Sequence, residues 1–176
     1  MKSIALLLSI LVCAVTSVGQ KHFYLEESFK HPARIPAGVV PLLRDQVKKD
    51  CPGEPVNAGT DVKAWFSGSR ISVNDSRFAL ILQSSKGCLN GADNIWFWVF
   101  LKTARGYRLV LTGGAISVDV LRSRTNGLRD IETNVATART NYMNIYKFNG
   151  SAYHARRCTE ATPADAKPKR VPCRTQ

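Results

Sequence analysis

Between Ala37 and Cys51 the apolar residues recur four apart. Val39, Leu43 and Val47 share one face of a helix, and Pro41 suits its first turn, where a missing N–H costs nothing. Lys48 and Lys49 suit the last turn, beside the negative end of the helix dipole. Cys51-Pro52-Gly53 ends it. After Asn57 the period changes from about four to two. Residues 63–73 and 77–83 read as strands joined by the turn Asn74-Asp75-Ser76, and residues 84–94 read as a loop. Three more strands follow at 95–103, 107–113 and 116–123, linked by Ala104-Arg105-Gly106 and Gly113-Gly114-Ala115. The last three are 129–137, 141–148 and 152–157, with Asn149-Gly150 as a hairpin turn between the final pair. The pattern predicts a mainly β fold of antiparallel meanders preceded by one short helix.

One strand is apolar on both sides. Trp96, Trp98 and Phe100 alternate with Phe97 and Val99, as expected for a central strand covered on two faces. The competing reading is an exposed tryptophan platform for sugars or bases.

The ends of the chain set its compartment. Lys2, an apolar run from Ile4 to Val15, and small residues at Ser17 and Gly19 have the layout of a secretory signal peptide cleaved near Gly19. The apolar run is too short to span ~30 Å of hydrocarbon at 1.5 Å per residue. The expected organisation is a signal peptide (1–19), an extended arm (20–36), a single β-rich domain with a leading helix (37–158) and a basic Pro/Lys tail (159–176). The expected location is secreted or periplasmic. Loss of the signal leaves Cys51, Cys88, Cys158 and Cys173, an even set that favours disulfides in an exported protein. The expected pairs are Cys51–Cys88, tying the helix end to the sheet, and Cys158–Cys173, tying the tail to the last strand. The two crossed connectivities remain open. With no CxxC and no Cys/His cluster, the pattern lacks a zinc signature.

Two parts of the β-region look alike. Residues 74–82 (NDSRFALIL) and 126–134 (NGLRDIETN) each place an Arg three positions after an Asn and lead into a strand. Each is followed by an aromatic strand, a Gly-containing turn and a strand opened by tyrosine (Tyr107, Tyr153). A three-stranded meander used twice explains this, since one such sheet has an apolar face that needs a partner. The unit T-N-G-x-x-D-I … Y-x-F-x-G-x-x-Y, Thr125 to Tyr153, resembles one in small exported bacterial proteins whose repeats look like degenerate FG-GAP or VCBS-type repeats. The pattern around Trp98 to Leu111 is similar. The resemblance spans roughly Val39 to Cys158 and implies an exported repeat scaffold with no assigned substrate.

Calcium-binding members of that class carry several carboxylates in the loop before the strand, because a hard cation needs six to eight oxygens. Here the first loop offers only Asp75, with Ala79 where an acid would close the site. In the second, Asn126 and Asp130 are the candidate ligands, but Ser123, Arg124 and Thr125 occupy the earlier positions and Arg129 adds positive charge. A turn with left-handed angles at Asn126-Gly127, and Asp130 paired with an arginine, is the expected arrangement. A calcium-stabilised repeat is the alternative, and no other cofactor is implied.

The formal charge is +12, falling to +11 without Lys2. Such a surface suits polyanions or an envelope component. The candidate contacts are Arg156, Arg157, Lys167, Lys169 and Arg170, where basic residues cluster. A lysozyme-inhibitor role fits poorly, since lysozymes are usually basic as well. For catalysis, His22, His31 and His154 are the histidines, and nothing in the spacing joins the first two to the third. The motifs of serine hydrolases, zinc proteases, P-loops and dinucleotide folds are missing from the sequence. Asp61, Asp75, Asp93, Asp119, Asp130 and Glu132 leave a carboxylate pair open without selecting one. Asn74-Asp75-Ser76 and Asn149-Gly150-Ser151 match glycosylation sequons. The leading expectation is a non-enzymatic binding or structural module; the alternative is a small nuclease-like hydrolase using His154.

Overall fold

Apolar residues on both sides of one sheet require three layers, and the computed structural model has them. It describes residues 21–57, 59–90, 94–165 and 167–173. The expected signal peptide and Asp93 lie outside these residues. One helix, α1 (Val40–Asp50), continues a 3-10 turn at Ala37–Val39 and carries Pro41 near its start and Lys48 and Lys49 in its last turn. Val39, Leu43 and Val47 are buried on its inner face.

The strands are β1 (His22–Tyr24), β2 (Phe66–Ser72), β3 (Phe78–Ser84), β4 (Ile95–Thr103), β5 (Gly106–Ala115), β6 (Ser117–Thr125), β7 (Leu128–Ala136), β8 (Asn141–Phe148), β9 (Tyr153–Ala161) and β10 (Lys169–Val171). They form two antiparallel sheets, one ordered β2-β3-β4-β5 and the other β1-β6-β7-β8-β9-β10. The mainly β meander architecture with one short helix is therefore as expected. The segments that look alike in sequence open β3–β5 and β7–β9 respectively, one in each sheet.

Two cores hold the layers together. Phe97, Val99 and Leu101 of β4 face the other sheet and pack with Phe23, Val118, Ile131 and Tyr146. Trp98 and Phe100 face the opposite way and pack with Val39, Leu43, Val47 and Val62 under the helix. The alternation read in β4 is thus a strand buried on both faces. Trp96 lies at its exposed end, its indole N–H donating to Thr112 Oγ1 at 2.9 Å.

The link expected at Gly113-Gly114-Ala115 is not a turn. Those residues are the end of β5, paired with Phe97, Trp96 and Ile95. A Cβ on Gly114 would stand 3.4 Å from the Trp96 ring, so glycine here permits close approach rather than reversal. Ile116 alone carries the chain from one sheet to the other, its N–H bonded to the Asn134 carbonyl at 2.8 Å.

The two ends are more structured than their composition suggests. In the stretch read as an arm, β1 pairs with β6, while Phe23, Leu25 and Phe29 enter the inter-sheet core and Ile35 enters the core beneath the helix. In the tail, β9 runs on to Ala161 and β10 pairs back on it. The cysteines pair as Cys51–Cys88 and Cys158–Cys173, with Cα atoms 5.5 and 5.2 Å apart.

Candidate functional site

A strand's side chains alternate between faces, and residues directly opposite each other in an antiparallel pair share one. The register therefore defines what the outer face of the six-stranded sheet displays. One row crosses five strands as His22, Asp119, Glu132, Ile145 and Arg157. The next reads Tyr24, Ser117, Asn134, Met143, Thr159 and Arg170. This face is polar and open, whereas its other side supplies the inter-sheet core.

Two irregularities shape a groove in it. The β8–β9 register slips between Ile145 and Tyr146, which oppose Arg157 and Ala155 and leave Arg156 as an extra residue. A bulge of this kind re-aims side chains, and adjacent Arg156 and Arg157 line the same depression. The β6–β7 register also slips, with Val120 opposite Ile131 and Arg124 opposite Arg129. Three residues, 121 to 123, thus face Asp130 alone. Between the slips lies a groove of about 710 Å³, lined among others by Leu121, Ser123, Asp130, Lys147, Arg156 and Arg157. That volume is within the ~300–1,000 Å³ usual for ligand sites.

Its charges are unevenly matched. Lys147, Arg156 and Arg157 are exposed, and none of the described side-chain hydrogen bonds or ion pairs involves them, although the Arg157 charge acts on Glu132. Asp130 is only 2% exposed. Its Oδ2 accepts a hydrogen bond from Ser123 Oγ at 2.8 Å, while Oδ1 is buried without a partner. The expected arginine partner belongs instead to Asp75, which accepts from Arg124 at 2.6 Å and from Arg129 at 3.1 Å. Hydrogen bonds from Arg124, then Arg129, hold the Asp75 carboxyl below the usual range. Burial, helped by the Asp130 charge, pushes the Tyr153 hydroxyl far up; that hydroxyl donates to the Arg129 carbonyl at 2.9 Å.

Asn126 and Gly127 adopt left-handed φ of 49° and 80°, the turn read from their sequence. The Asn126 amide donates to the Phe148 carbonyl at 2.8 Å. Asn126 and Asp130 both border the groove, but no cluster of three or more His, Cys, Asp or Glu among the described residues is placed to hold a metal ion.

The structure divides the other predicted residues. Lys169 is bound to Asp165 at 2.5 Å, which raises its pKa and lowers that of Asp165 to about 2. Arg170 reaches the open face only at its edge, opposite Thr159, and exposed Lys167 precedes β10. His154 faces Lys147 across the β8–β9 ladder. His22 lies at the other edge of the same sheet, 2.5 Å from Asp119. Next in that row, Glu132 has a raised pKa, from burial first and then from the Asp119 charge. The sequence reading singled out neither Lys147 nor the bulges. The signal was present as a phase slip: Tyr153 and Ala155, packed in the inter-sheet core, are followed by buried Cys158 three positions on rather than two.

Among the asparagines of the two sequons, Asn74 Oδ1 accepts from the Ser76 N–H, and Asn149 Oδ1 accepts from those of Ser151 and Ala152. Both serve as turn residues.

No protein-family profile, curated protein or solved structure matches this chain.

Proposed function

We propose that this chain is an exported, non-enzymatic binding domain that takes an anionic ligand on the open face of its six-stranded sheet. The observation that carries this reading is the convergence of Lys147, Arg156 and Arg157 on one groove, where none of them is engaged by a described ion pair. The net charge, +12 for the full chain and +11 without Lys2, adds long-range attraction for such a ligand. Export is supported by the amino-terminal pattern and the two disulfides, and no helix among the described residues is long and apolar enough to cross a membrane. The resemblance to degenerate FG-GAP or VCBS-type repeats adds the idea of a duplicated scaffold built to display a surface.

Binding of heparin measured by calorimetry at several salt concentrations tests the proposal. Affinity falls steeply with salt, because each neutralised anion releases counterions. Replacing Arg156 and Arg157 by alanine weakens binding at least about tenfold and makes the salt slope shallower by roughly one to two units. Absent or salt-insensitive binding sinks the idea.

A second reading, a hydrolase, is favoured by a different observation. The row His22–Asp119–Glu132 provides an imidazole held by one carboxylate beside another whose proton is retained to higher pH, the elements of acid–base cleavage. It moves the candidate catalytic residue from His154 to His22. Turnover of RNA that survives both His22→Ala and Glu132→Gln disposes of it.

A further inference from the structure

The groove has an acceptor that a bare polyanion does not need. Asp130 sits among Lys147, Arg156 and Arg157 in its lining, buried, with Oδ2 fixed by Ser123 and Oδ1 lacking any protein partner. A buried carboxylate oxygen left unbonded is costly, so its natural complement is a donor supplied by the ligand. The same carboxylate repels a ligand that presents only anionic oxygens. The remaining lining is aliphatic at Leu121 and Ile145 and polar at Thr125, Asn126 and Asn149, with the two asparagine side chains already bonded to neighbouring backbone groups. Phe148 is 6% exposed and packs at a tilt against Tyr153 in the core, with ring centroids 5.3 Å apart, so it offers no open ring face. Nucleobases are held chiefly by such faces. The lining therefore calls for anionic groups and hydroxyl donors on one aliphatic-backed framework, without stacking.

We infer that the groove is a subsite for an acidic saccharide: the sulfate or carboxylate groups of the sugar meet Lys147, Arg156 and Arg157, and a hydroxyl donates to Asp130 Oδ1 as a small turn of the carboxylate brings that buried oxygen to the groove. The inference rests on the anion-binding reading above and names its ligand class. Ser123 acts as a positioning residue, holding the carboxylate by its other oxygen.

The test compares three probes of matched charge on the intact, disulfide-bonded protein: a heparin octasaccharide, inorganic polyphosphate and a single-stranded RNA. The wild-type protein keeps measurable octasaccharide binding at salt concentrations that abolish polyphosphate binding, since hydroxyl contacts are not screened as charges are. Asp130→Asn weakens octasaccharide binding about tenfold or more and leaves polyphosphate binding equal or tighter. Ser123→Ala, which removes the one described side-chain hydrogen bond of Asp130, shifts the octasaccharide in the same direction by a smaller factor, with polyphosphate binding retained as the check that the fold is intact. Equal salt sensitivity for octasaccharide and polyphosphate overturns the inference, as does RNA bound more tightly than the octasaccharide, or Asp130→Asn tightening both anions alike. Failure of all three probes to bind overturns the anion-binding reading itself, which separates the two conclusions.

Discussion

The two sheets share a core, yet their outer faces are opposites. Beyond the four-stranded sheet, Trp98 and Phe100 are capped by the helix, and Cys51–Cys88 fastens the helix end to the turn at Gly87–Leu89. Beyond the six-stranded sheet, the residues in register are His22, Asp119, Glu132 and Arg157, and no described element covers them. Strand geometry does not distinguish the two faces. The difference lies in which residues occupy the outward positions: apolar ones recruit a third layer, and charged ones leave the sheet open to ligands. The covered face holds a core, and the open face is where the proposed binding takes place.

Mutations on the two faces should therefore differ in kind. The largest effect is expected at Trp98→Ala, which removes a fully buried ring and costs about 3–5 kcal/mol by urea unfolding. Removing Cys51–Cys88 comes next. The sequence separation of 37 gives about 4 kcal/mol in the chain-entropy treatment, against about 3 for the separation of 15 in Cys158–Cys173. Equal losses from the two double Cys→Ser variants would show that the helix clamp has no special weight. On the open face, Arg156→Ala with Arg157→Ala should change stability by less than about 0.5 kcal/mol while reducing anion binding. A large drop in melting temperature would make these arginines structural and break the contrast.

Glu132 gives a smaller effect, dependent on pH. Its folded pKa lies above the ordinary 4.5, so the folded state binds the proton more tightly than the unfolded chain. Raising the pH from below 4.5 through the folded pKa therefore costs stability. Glu132→Gln should raise the melting temperature slightly at pH 7 and leave it unchanged at pH 3. The smallest effect is spectroscopic: the Asp165 carboxyl carbon should titrate at about 2 by NMR and move back toward 3.8 in Lys169→Ala.

Much of the covered face was legible in the sequence. The four-residue spacing of Val39, Leu43 and Val47 located the helix, and the unbroken apolar run of β4 announced a strand with neighbours on both sides. The open face was harder to read. Arg156 and Arg157 stood out by composition, but Lys147 joins them only through the β8–β9 register, which no local signal specifies. Asp130 was read as the partner of an arginine because Arg129 precedes it. The backbone aims those two side chains apart, and Asp75, remote in sequence, takes the arginine. The β1 strand was missed because three residues are too few to show a period, although burial of Phe23 anchors it. The glycines at 113 and 114 were read as a turn because glycine serves both reversal and close approach, and only the Trp96 ring tells which.

The single-residue corner at Ile116 has a consequence for how the chain assembles. From β2 to β5 and again from β6 to β10, every strand pairs with its immediate successor, so both sheets can grow by adding hairpins in the order of the chain. Such local pairings close quickly. Besides the side-chain core between the sheets, the backbone pairings that must wait are few. β1 docks on β6 across about a hundred residues, and the turn after β2 meets the turn after β6, where the Arg129 N–H bonds the Val73 carbonyl at 2.6 Å. Ile116 acts as the fold line of one continuous ribbon, and these late contacts are the latch that shuts it. On this route the open face gains its first strand, with His22 and Tyr24, only when the latch closes.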